Sequence, residues 1–136
     1  MAEHLSADSA TAAVQLDVAE AALRDLFEHN ASGIQQRAAR VCIKLMGKDP
    51  GAAFLARFAD LGRPVVAGSA FKRMRRSKRA WDLRLYVGEI RLIDATHAEA
   101  SGGYYEGGLS SSGEHLWLEL TGGRWTVVAR RFEWIS

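Results

Sequence analysis

Four histidines, three tyrosines and sixteen acids are the groups of this chain able to move a proton. His97 stands two residues before Glu99, and on an extended segment that spacing puts both side chains on one face. A His/Glu couple is a candidate acid–base pair; it is also an ordinary solvated pair on a strand. Tyr104 and His115 complete the candidate catalytic set. Glu106, Tyr86 and Tyr105 could contribute, and Asp94 reads as a turn residue. None of them stands in a spacing that defines a catalytic motif.

Other chemistries find less in the sequence. His4, His29, His97 and His115 lack metal-ligand spacing, so no metal is expected. Gly102-Gly103 and Gly107-Gly108 bracket tyrosines rather than open a helix, so neither is a nucleotide fingerprint, and no cofactor is expected. Cys42 is the single cysteine. It allows no internal disulfide, and its apolar neighbours Val41 and Ile43 make it a buried thiol.

Charge is placed unevenly. Lys72, Arg73, Arg75, Arg76, Lys78 and Arg79 are six of the eighteen basic residues; the remaining twelve against sixteen acids leave a body of −4 under a total of +2. Such a run could contact phosphates of a nucleic acid or an acidic partner. A solvated loop is the plainer reading, and Phe71 and Trp81 are its only aromatic neighbours.

Elements must position these groups. From Thr11 to Asn30, Leu16, Ala19, Leu23, Leu26 and Phe27 form one helical stripe. Residues 31–40 are ambiguous between helix and strand, and Val41, Ile43 and Leu45 then alternate as a strand. Asp49-Pro50 is a helix start, with Phe54, Leu55, Phe58 and Leu61 on one face and Gly62 ending it. Val65 and Val66 suggest a short strand. Trp81, Leu83, Leu85 and Val87 alternate, but after Gly88 the apolar parity passes to Ile90 and Leu92, which predicts a β-bulge near Gly88-Glu89. Ala95–Glu106 is a further extended segment, and a serine-rich loop over Leu109–Gly113 leads to the last hairpin.

That hairpin turns at Gly122-Gly123. Its expected register puts Leu116, Leu118 and Leu120 with Ala129, Val127 and Trp125 on one core face. The other face carries His115, Trp117 and Glu119 with Arg130, Val128 and Thr126, followed by Phe132 and Trp134. An aromatic second face predicts a cover: a helix, a ligand or another subunit. With Tyr86, the residues His115, Trp117, Val128, Arg130, Phe132 and Trp134 are therefore the candidate ligand or interface set.

The chain of 136 residues, 48% apolar and 25% charged, suits one soluble globular domain over residues 11–136 behind a flexible tail over 1–10. No signal peptide or membrane span is visible, so a cytoplasmic location is expected. Helices followed by a strand meander make an α+β plan: an N-terminal helix and a short second helix on a curved antiparallel sheet. This order, the bulged long strand and the closing Gly123-Arg124-Trp125-Thr126-Val127 resemble the nuclear transport factor two-like fold, a cone-like roll. The related cystatin-like fold shares the plan. The resemblance implies a pocket between helix and concave face in a fold that hosts enzymes and non-enzymes alike; with the doubly apolar final hairpin it leads to the expectation of a non-catalytic ligand- or protein-binding module, a homodimer through the exposed sheet face. It implies alternatively an isomerase or cyclase with an acidic base and a tyrosine.

Overall fold

The computed structural model describes residues 2–30, 37–72, 81–107 and 110–135. Helix α1 spans Ala2–Asp25 and passes into a π-helical turn, Leu26–Asn30. It therefore begins well before Thr11. Its core stripe is Val18, Ala19, Ala22, Leu23 and Leu26, all buried, with Leu16 and Phe27 half-buried beside them. Strand β1 (Arg40–Leu45) follows, then α2 (Ala52–Ala56), β2 (Val65–Ala67), β3 (Asp82–Asp94), β4 (His97–Gly107), β5 (Ser110–Thr121) and β6 (Arg124–Ile135). The ambiguity over residues 31–40 resolves as a strand at Arg40; residues 31–36 lie outside the described residues.

The six strands form one curved, unclosed sheet in the order β2-β1-β3-β4-β5-β6. The α+β expectation holds, with one amendment. Strand β1 runs parallel to both β2 and β3, so only the β3–β6 half is an antiparallel meander. A parallel pair needs a crossover; α2 supplies it between β1 and β2.

The helical elements also carry a correction. Asp49 does not cap α2, whose N-cap Gly51 has no side-chain bond. Asp49 instead accepts the backbone N–H of Ser69 at 2.9 Å, tying down the 3-10 turn Gly68–Ala70. Gly62 ends the α2 region as expected, at φ 74°.

The bulge expected at Gly88 is present, since the β3–β4 register shifts between Val87 and Glu89. It keeps Val87 and Ile90 on the same, helix-covered face despite their odd separation. Three glycines allow close approaches in the middle of the sheet. A Cβ on Gly103 would meet the Ser112 carbonyl and the Tyr86 hydroxyl, and one on Gly102 would lie 2.9 Å from Leu26. Without a side chain at Gly103, Tyr86 donates from its hydroxyl to the Ser112 carbonyl at 2.9 Å. One on Gly113 would run into the indole ring of Trp134.

The final hairpin forms at Gly122-Gly123, both with positive φ, and its register begins as expected: Thr121 faces Arg124, Leu120 faces Trp125, Leu118 faces Val127. An extra residue, Val128, then shifts the ladder. Trp117 faces Ala129, Leu116 faces Arg130 and His115 faces Arg131. Ala129 is therefore not core, and Arg130 moves to the helix-covered face, where it grips Asp25 through two bonds of 2.8 and 2.9 Å. A second shift at Glu133 puts Phe132 opposite Glu114 and Trp134 opposite Gly113.

Candidate binding groove and the sheet surfaces

A groove of about 730 Å3 opens between α1 and the tip of the β5–β6 hairpin. Val14 and Ala21 line it from the helix, Leu120 and Trp125 from the sheet. Helical spacing puts Val14 and Ala21, two turns apart, on the same side of α1, and the period of two brings Leu120 and its cross-strand partner Trp125 to the concave face. The rim is charged. Asp17, Glu20 and Arg24 stand on one side and Arg124 on the other.

Those rim acids are already engaged. Arg57 bonds Asp17 at 2.9 Å and Glu20 at 3.2 Å, and Arg24 bonds Glu20 at 3.0 Å and Asp60 at 2.8 Å. The Arg24 guanidinium holds the Asp60 carboxyl below the usual carboxylate range. Arg24 also donates to the Arg57 carbonyl at 2.9 Å, joining α1 to the α2 segment. Arg124 makes no ion pair with the described residues. The lining contains no histidine, cysteine, serine or tyrosine. Its floor can take an apolar body while the charged rim stays open to water, but the site holds no free proton acceptor and no nucleophile.

The candidate catalytic residues lie elsewhere. His97 and Glu99 share the outer face, away from α1, but do not bond each other. His97 pairs with Asp94 at 2.9 Å, which raises its pKa, and Asp94 also accepts the Thr96 N–H at 2.8 Å. Glu99 pairs with His115 at 3.1 Å and Arg91 at 3.6 Å, and the His115 bond draws its carboxyl below the ordinary range. Asp94 is thus a turn residue, as expected. The Glu99–His115 pair borders a dimple of only about 90 Å3. Tyr104 belongs to the other side of the sheet, opposite Ser112 and packed against the core. The four candidates do not converge.

The expected interface set is also divided. His115 and Trp117 are on the outer face, with rings 4.5 Å apart and the Arg131 guanidinium 5.8 Å from the Trp117 ring. No described element covers them. Trp134 joins that face over Gly113, whereas Phe132 and Arg130 belong to the concave side. Val128, Phe132 and Trp134 are all about half exposed. Tyr86 is spent on the Ser112 carbonyl.

Glu114 was missed by the sequence reading, although it begins the hairpin segment. It is 1% exposed, and neither carboxylate oxygen has a partner. Burial pushes its pKa up, and the nearby charges of Arg130, Asp25 and His29 modify that effect. Its parity with Leu116 and Leu118 was the available signal: an acid in phase with core leucines.

At the other end of the sheet, Cys42 is buried as expected, and burial pushes its thiol up to about 11. Arg84 lies between the Phe71 and Tyr105 rings at 5.3 and 4.8 Å. The nearly buried Asp82 holds the Arg40 guanidinium at 2.6 Å and the Lys72 backbone N–H at 2.8 Å. Of the basic run, Lys72 is described; Arg73–Arg79 lie outside the described residues.

Among the described residues no cluster of three or more metal-ligating side chains occurs, and no helix is long and apolar enough to cross a membrane. No protein-family model, no curated protein and no solved structure matches the chain.

Proposed function

We propose that the chain is a non-catalytic binding module of the nuclear transport factor two-like kind, holding a small, mainly apolar molecule between α1 and the β5–β6 tip. One observation carries the reading: a groove of about 730 Å3, within the range of small-molecule sites, has an apolar floor and no group free to move a proton. The enzyme alternative is less well supported. It needs an acid and a tyrosine converging in a pocket, and Glu99, His97 and His115 lie on the opposite face of the sheet from Tyr104. A single buried thiol suits a reducing compartment, so the reading includes the cytoplasm.

The test uses anilinonaphthalene sulfonate, an apolar anion, titrated against the wild-type protein and against Ala21→Trp, which fills the groove. Wild type is expected to bind with micromolar affinity and quench Trp125 emission, and the filled variant to bind at least about tenfold more weakly. Equal binding by both proteins would sink the reading.

A second reading is favoured by Val128, Phe132 and Trp134, half exposed on one edge strand. Apolar groups of that size gathered along one edge suit self-association, so the module is also proposed to be a homodimer.

A further inference from the structure

We propose that the two copies join through the free edges of β6, pairing antiparallel about Phe132 so that one continuous sheet runs through the dimer. The inference rests on the homodimer reading and replaces stacking of outer faces by edge pairing. The sheet is unclosed and has two edges. Strand β2 has only 3 residues, whereas β6 has 12.

The ladder identifies which backbone groups of β6 point outward. Leu120 donates its N–H to the Thr96 carbonyl at 2.8 Å, so its backbone is turned towards β4. In an antiparallel strand, successive residues turn their backbone groups to opposite neighbours. Leu118, Leu116 and Glu114 therefore also address β4, and the residues of β6 opposite them direct N–H and C=O away from β5. Arg130 faces Leu116 and Phe132 faces Glu114. These two present unpaired donors and acceptors at the edge, beside the half-exposed Phe132 and Trp134 rings.

Charge selects the register. Pairing centred on Arg130 or on Arg131 would oppose like charges across the two-fold, which is destabilising. Pairing centred on Phe132 lets its N–H and C=O bond their symmetry mates and sets Arg131 opposite Glu133 of the second copy, twice. Within one chain these two already form a 2.9 Å pair, so the contact exchanges partners without stranding a charge. The shifts at Val128 and Glu133 confine regular pairing to a few residues, so the dimer is expected to be concentration-dependent.

Sedimentation equilibrium from micromolar to millimolar protein tests this. Wild type is expected to dimerise, and Phe132→Pro, which removes both the outward N–H and the half-exposed ring at the seam, to remain monomeric. Arg131→Glu and Glu133→Arg are each expected to weaken association about tenfold. Mixing these two single variants restores it, because each then supplies the charge the other lacks. That cross-complementation decides the matter should the proline variant not fold. A dimer broken by Ser101→Arg on the outer face, yet untouched by Phe132→Pro and the charge reversals, would overturn edge pairing and leave the homodimer standing. A wild-type monomer at millimolar concentration would overturn both.

Discussion

Glu114 should weaken the protein at neutral and alkaline pH, and replacing it should strengthen the fold there. The carboxyl is 1% exposed and its oxygens find no donor. Arg130, the cation that most offsets this burial, is committed to Asp25. Burial raises the folded-state pKa above that of the unfolded chain. Such a group contributes stability that is complete below the unfolded value and is lost as pH rises through the folded value. Each unit of upward shift corresponds to about 1.4 kcal/mol above that range, and an unsatisfied buried polar group costs about 1–3 kcal/mol. Glu114→Gln keeps the shape and removes the titration. Urea unfolding should find the variant more stable than wild type at pH 8 by at least about 1 kcal/mol, because the amide is no better paired but carries no ionisation cost. The gap should close towards pH 4, where both side chains are neutral. A Gln variant less stable than wild type by the same amount at both pH values would refute the reasoning, because it would mean that the carboxylate has partners.

Three further outcomes follow from contacts already described. Gly103→Ala places a methyl group against the Ser112 carbonyl and the Tyr86 hydroxyl, and thermal melting should show a loss of about 3 kcal/mol; a loss under about 0.5 would mean that β4 and β5 part easily. Asp94→Asn removes the main partner that raises His97, so the His97 titration followed by NMR should move down towards the ordinary histidine value, and an unmoved midpoint would show that the pair does not form. Arg130→Ala leaves Asp25, whose side chain is 10% exposed, without its bidentate partner; chemical denaturation should show a loss of about 1–3 kcal/mol, whereas Arg131→Ala, an exposed pair, should cost less than about 1 kcal/mol.

Much of the local structure was legible because it rests on short-range periodicity. The Leu23/Phe27 stripe, the Gly122-Gly123 turn, the Gly88 bulge and the Gly62 stop each show within a few residues, since helix, strand and turn differ in period or in required φ. Asp94 as a turn residue and Cys42 as a buried thiol were readable for the same reason. The bulge at Val128 was not. Gly88 announces itself by switching the parity of leucines and isoleucines, but Val127, Val128 and Ala129 are all apolar, so an extra residue leaves no mark there. That one insertion moves Arg130 from the outer face to the helix-covered face and Ala129 out of the core.

The sequence by itself determined the α+β class, most of the meander, the amphipathic helix and the absence of metal or nucleotide motifs. All follow from the spacing of apolar, polar and glycine residues along the chain. The serine-rich stretch expected as a loop is instead the start of β5, residues 110–113, paired with β4. Only the tertiary structure decided that β1 runs parallel to its neighbours, that Arg130 reaches Asp25 across 105 residues of chain, that Glu114 is buried without a partner between Gly102 and Phe132, and that α1 and the hairpin tip leave a groove. Each of these depends on which distant elements meet, and periodicity says which face is apolar without saying what will cover it.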